Sequence, residues 1–136
     1  MASAAHVVQQ WLKAQAGKPS GLGLFHTHMP DLPVLVLVVT LSEGAQQGRG
    51  HRTGKNYQQT GIQFRVRGGS EATAHAAMQW ARAKAEALMN PVAVVVDSVS
   101  YTLHPLHEYG TPATLGTPNK KKQPQYTQDY RTVVRN

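Results

Sequence analysis

Histidines and carboxylates are the residues most able to do chemistry in this chain, and their spacing is the first thing to test. His26 and His28 stand two apart in an extended stretch and leave it on the same side, with Asp31 or His51 available to complete a metal site. No third ligand stands at a recognised spacing, and a metal needs its full set. The run His104-Pro105-Leu106-His107-Glu108 reads H-P-L-H-E, not the helical H-E-x-x-H of metalloproteases, and Pro105 argues for a loop. Ser98 and Ser100 lie beside Asp97, but no local arrangement gives either hydroxyl a base. The 7 Asp and Glu residues contain no obvious acid and base pair. Gly21-Leu22-Gly23 and Gly48-Arg49-Gly50 lack the following helix of a phosphate-binding fingerprint. With 0 cysteines, disulfides and thiolate chemistry are excluded and a closed zinc site is disfavoured. The expectation is a protein that is not an enzyme and has no catalytic set, metal or cofactor.

What remains is charge. There are 14 Lys and Arg against 7 Asp and Glu, a net charge of +7, and the excess lies outside the best helix, which is neutral over 70–90. Arg49, Arg52 and Lys55 fall in one glycine-rich stretch, Arg65 and Arg67 alternate along another, and Lys120, Lys121 and Lys122 form a run. Such a distribution attracts phosphates or acidic protein surfaces. Tyr57, Tyr126 and Tyr130 add rings able to stack on bases, so a small basic nucleic-acid-binding protein is one reading, although no module signature for DNA or RNA is present.

The elements that must carry these residues are best defined at Thr60–Met89. Ile62, Phe64 and Val66 alternate with Gln63, Arg65 and Arg67, which predicts a strand with one buried face and one wet, cationic face. Gly68-Gly69 allows a sharp turn, and Ser70 caps a helix that has Glu71 in its first turn. On that helix Ala74, Ala77, Met78, Ala81, Ala85 and Leu88 face inward, opposite Glu71, His75, Gln79, Arg82 and Glu86. Asn90 and Pro91 end it.

Earlier in the chain, residues 3–16 predict a helix anchored by Trp11 and stopped by Gly17 and Pro19. Residues 22–27 predict a short strand, followed by a turn with Pro30 and Pro33. Val34–Leu41 is apolar on both faces, as a strand covered on both sides would be, and needs a further layer, a folded-over hairpin or another subunit. Its eight residues fall far short of the roughly 20 needed to span a bilayer, and residues 1–16 lack the apolar core of a signal peptide, so no membrane role is expected. Residues 92–103 predict one long strand bent at Asp97, and 126–135 a closing strand with Tyr126, Gln128, Tyr130, Thr132 and Val134 on one face. Two polar stretches, 42–59 and 104–125, predict long basic loops, the first a mobile arm. The expectation is one α+β domain over 1–136, with two helices packed on a mixed, largely antiparallel sheet.

Three stretches, in this order, resemble the tail terminator, or tail completion, proteins of long-tailed bacteriophages. They are His28-Met29-Pro30-Asp31-Leu32-Pro33 before an apolar strand, Gly61–Gly68 running into an amphipathic helix, and the closing Tyr126–Arg135 with Leu115-Gly116 before it. The resemblance spans nearly the whole chain. It implies a structural virion protein that forms a homo-oligomeric ring, six-membered, on the head-proximal end of the tail tube. Such a ring stops tube polymerisation and forms the head-tail joining surface. Implied partners are the tail tube protein and the head-completion or connector protein, with DNA passing through the lumen without specific binding. The implied location is the virion, with assembly in the host cytoplasm. On that reading the subunit and tube contacts fall on the two polar stretches and on Arg49, Arg52, Lys55, Arg65, Arg67, Lys120, Lys121 and Lys122.

Overall fold

A computed structural model describes residues 2–42, 46–49, 56–116 and 123–135. Helix α1 (Ala4–Lys13) starts where the Ser3 hydroxyl accepts the His6 N–H at 3.2 Å, and it buries Val7, Val8, Trp11 and Leu12 on one stripe. Helix α2 (Glu71–Ala87) starts at a reciprocal cap between Ser70 and Thr73. Its inward row is Ala74, Ala77, Met78, Ala81 and Ala85, so the helix lies close to what it covers. Trp80 Nε1 donates to Ala16 O at 3.0 Å, tying α2 to the chain just after α1.

The main sheet begins with β1 (Gly23–His26), parallel to β2 (Val36–Leu41). Next comes the long central strand β4 (Asn56–Arg67), antiparallel to β2, then β8 (Gln125–Thr132) and, at the far edge, β7 (His107–Gly116). The strand order is β1-β2-β4-β8-β7, with β3 (Gln46–Arg49) paired to the first part of β4. A smaller sheet holds β5 (Val92–Val96), β6 (Val99–Leu103) and β9 (Val134–Arg135). Helix α1 packs on β1 and β2 to one side and on β5 to the other, and α2 covers β4 and β8. One apolar core joins the layers, with Phe64, Ile62, Leu37 and Tyr130 from the main sheet and Val94, Tyr101 and Leu103 from the small one. The α+β architecture is the expected one.

Four local expectations are corrected. The closing strand expected over 126–135 ends at Thr132, and after a break at Val133 the pair Val134–Arg135 joins β6 in the smaller sheet. Residues 92–103 form a tight hairpin, not one bent strand, because Asp97 (φ 50) and Ser98 (φ 64) both take left-handed backbone. That is what a two-residue turn matched to strand twist requires, and it folds Val94 and Val96 onto Tyr101 and Val99. The stretch 42–59 is not a loop throughout, since Gln46–Arg49 ladders with Asn56–Gln59. Backbone pairing there needs no apolar alternation, which is why polarity concealed it. The stretch 104–125 likewise carries β7, an edge strand with register shifts between Tyr109 and Ala113 and between Thr114 and Gly116. Gly110 (φ 80) and Pro112 sit inside the first irregularity, where an edge strand tolerates them.

Gly68 does more than turn the chain. A Cβ there would stand 2.9 Å from Ala74 N and 3.0 Å from Ala74 Cβ, so the missing side chain lets β4 run directly under the first turns of α2.

Candidate functional site

The face of the main sheet turned away from the helices carries Gln63, Arg65 and Arg67 from β4, Thr127, Asp129 and Arg131 from β8, and Val36 and Val38 from β2, by register and strand alternation. Its cover at the β1 edge comes from the chain itself. Gly23 leaves room for Phe25 and Pro33, whose side chains would stand 2.7 and 2.8 Å from a Cβ there. The 31–34 segment folds against this edge, and Val36 and Val38 are fully buried.

Arg67 is the pin of that arrangement. Expected on a wet face, it is only 5% exposed. Its Nη2 donates to Asp31 O at 3.0 Å and to Pro33 O at 2.9 Å, and its Nε to Val34 O at 3.3 Å. A buried guanidinium is tolerable because these carbonyls take its N–H groups, and the same bonds fix the loop. The loop's departure from β1 is equally constrained. Thr27 has φ 72 and is bridged by a 2.8 Å bond from His28 N to His26 O, a strained three-residue turn. Leu32 at the loop's crest is 71% exposed.

Along the rest of this face the polar groups pair with one another. Arg65 Nε donates to Gln125 Oε1 at 2.9 Å, and Gln63 Nε2 to Asp129 Oδ1 at 3.1 Å. The Arg131 guanidinium lies 4.0 Å from the Tyr109 ring centroid, an arginine stacked on an aromatic face. Leu41, Gln63, Tyr109 and Arg131 border a hollow of about 430 Å³. This surface is half-buried, polar and cationic, suited to a protein or solvent boundary.

A second concavity, about 530 Å³, lies on the helix side, between the last turns of α2 and the start of β7. Ala85, Leu88, Met89 and Leu106 give it apolar walls. At its polar end Arg82 Nε contacts Glu108 Oε1 at 2.9 Å, and this bond raises the Arg82 pKa. Tyr130 lines the floor, 1% exposed, and its hydroxyl lies near Glu108 and Arg82 without a well-formed hydrogen bond to either. Burial, with the nearby Glu108 charge adding to it, pushes the phenol pKa well up, so Tyr130 stays a neutral donor.

Among the described residues, those weighed for chemistry are not gathered into a centre, and His51 lies outside the described residues. His26 stacks on His6 at 4.1 Å between ring centroids, and its pKa is lowered by burial and then by the His6 charge. Among the described residues no three His, Asp or Glu side chains are placed to hold a metal. Ser98 is a turn residue, and Glu108 is engaged by Arg82. Of the basic residues singled out, Arg65 and Arg67 share one face with different duties, and Arg49 belongs to β3. Arg52, Lys55, Lys120, Lys121 and Lys122 lie outside the described residues. Reasoning from sequence missed the Arg131–Tyr109 stack and the Leu32 crest; two prolines bracketing a leucine were the available signal for the second.

Among the described residues no helix is long and apolar enough to cross a membrane. No family model matches the sequence, and no curated protein matches it. Solved structures do match, among them a chain from the virion of a native gene transfer agent particle, which superposes with a TM-score of 0.62 at 16% identity, covering 98% of this chain and 96% of that one. At that identity the likeness establishes a shared fold, from the first helix to the closing strand.

Proposed function

We propose that this protein is a structural, non-enzymatic component of a phage-type virion that assembles as a six-membered ring on the head-proximal end of the tail tube. In that position it stops tube polymerisation and forms the surface that joins the head connector. DNA passes through the lumen without specific binding. The observation that carries this reading is the end-to-end likeness to a chain of a gene transfer agent virion, with 98% and 96% of the two chains superposed.

The chain's own features support it. Its polar groups pair with one another and with backbone instead of converging on a reacting centre. The strand order sets β1 and β7 at opposite sides of the domain, so that different patches of successive copies can meet head to tail and close a ring. The experiment is a tube-length assay: cognate tail tube protein polymerised with and without this protein. Tubes of limited length that do not grow when fresh tube protein is added support termination; unlimited growth overturns it. In parallel, retention on generic DNA at low salt with a steep loss on adding salt would favour the nucleic-acid-binding reading instead.

A further inference from the structure

We propose that the crest of the 31–34 loop of one copy seats in the groove between α2 and the start of β7 of the next copy, with Leu32 as the inserted side chain. This inference rests on the ring reading above and names its contact.

Three independent observations meet here. The first is a preformed projection. Leu32 is held out to solvent at 71% exposure, with Val34 at 40%, on a segment whose carbonyls at 31, 33 and 34 are all gripped by buried Arg67. A flexible loop would fold a leucine down or leave it disordered; here a buried cation and a strained turn at Thr27 are used to keep it up. A side chain fixed before binding loses little entropy on docking, which favours a rigid anchor.

The second is a receptacle that is incomplete in the single chain. The groove of about 530 Å³ has Ala85, Leu88, Met89 and Leu106 along its walls, and Met89 is 78% exposed. At its floor the Tyr130 hydroxyl is buried close to Glu108 and Arg82 but makes no well-formed hydrogen bond to either. An incoming backbone carbonyl beside the leucine would give that donor an acceptor of good geometry.

The third is placement and charge. The strand order puts the loop at the β1 edge and the groove at the β7 edge, so one molecule cannot bring them together and two molecules can. Contact between different patches on successive copies is the heterologous geometry that closes a ring when the rotation permits. Exposed Asp31 precedes Leu32, and beside the groove His104 and His107 border a smaller hollow of about 210 Å³, giving imidazole donors for that carboxylate. Of the groove's own carboxylates, Glu108 is already paired with Arg82, and Glu86 stands on the α2 side.

The chain's lack of cysteine makes the test direct. Leu32→Cys and Met89→Cys replace exposed side chains, so both variants are expected to fold, with circular dichroism as the check. Under mild oxidation a mixture of the two single variants should give one covalent dimer in excess over either variant alone. The double variant should give a ladder ending at the ring number. In sedimentation, Leu32→Glu and Met89→Glu should each be at least tenfold weaker in self-association, and mixing them should restore a dimer but nothing larger. A wild-type oligomer that ignores both glutamates and yields no mixed disulfide overturns this contact alone and leaves the ring standing. A wild type that is monomeric at high concentration, alone and on tails, overturns both.

Discussion

The two faces of the main sheet are held by different physics. Toward the helices, Ile62, Phe64 and Val66 meet Ala74, Ala77, Met78 and Ala81 in a dry layer, and the Phe64 and Tyr130 rings sit 4.7 Å apart. Away from the helices, the same strand offers Gln63, Arg65 and Arg67, each satisfied by a directional bond to a neighbour. The first face is specified by size and burial, the second by geometry. A protein that must present a defined outer surface gains from the second kind, because directional bonds fix positions that apolar contact would leave adjustable.

Substitutions on either side of the strand separate these two kinds of support. Phe64→Ala should be the most damaging, about 3–5 kcal/mol off the unfolding free energy, because the ring is fully buried and leaves a cavity. Urea denaturation should show a lower midpoint with an unchanged slope, and a loss under about 1 kcal/mol would mean the dry face is not what holds the fold. On the other face, Arg67→Met keeps apolar volume but strands three carbonyls. Roughly 2–3 kcal/mol should be lost, with faster amide exchange confined to 28–35. Uniform loosening across the sheet would show that Arg67 supports the core and not the loop.

Gly68→Ala probes the seam between strand and helix. The added methyl meets Ala74 backbone, a cost of about 1–3 kcal/mol that should appear as reduced thermal stability. Breaking the Arg82–Glu108 pair by Arg82→Ala should cost less than about 1 kcal/mol, since both side chains reach solvent and salt screens them. A larger loss would mean that the pair organises the groove floor.

The smallest expected effect is a pH response from His26. Burial, then the His6 charge, lowers its pKa in the folded state below the usual 6.5, so just below that value the unfolded chain binds more protons. Stability from this residue is therefore complete above pH 6.5 and falls as pH drops through the folded pKa. His6→Gln should flatten part of that slope in denaturation midpoints measured at several pH values. An unchanged slope would remove His6 as a cause.

Elements built on strict periodicity were readable from residues alone. The alternation at 62–67, the alanine row of α2, the Ser70 cap and the single-face pattern of 126–132 all correspond to observed structure, whereas Val134 leaves that face for the smaller sheet. Elements built on backbone pairing without apolar alternation were not, which is why β3 and β7 read as loops. The 92–103 hairpin was hidden because Asp-Ser replaces the glycine that marks such turns. For the outer face, sequence placed Arg65 and Arg67 side by side but could not tell a solvated arginine from a buried one. That distinction depends on the 31–34 carbonyls, some thirty residues away in the chain and adjacent only after folding.

Ring assembly at a tail end is the central claim, and electron microscopy of the purified protein, alone and mixed with cognate tails, tests it most directly. The account predicts closed rings of uniform size that sit on the head-proximal end of each tail. Isolated monomers beside bare tail ends would contradict it.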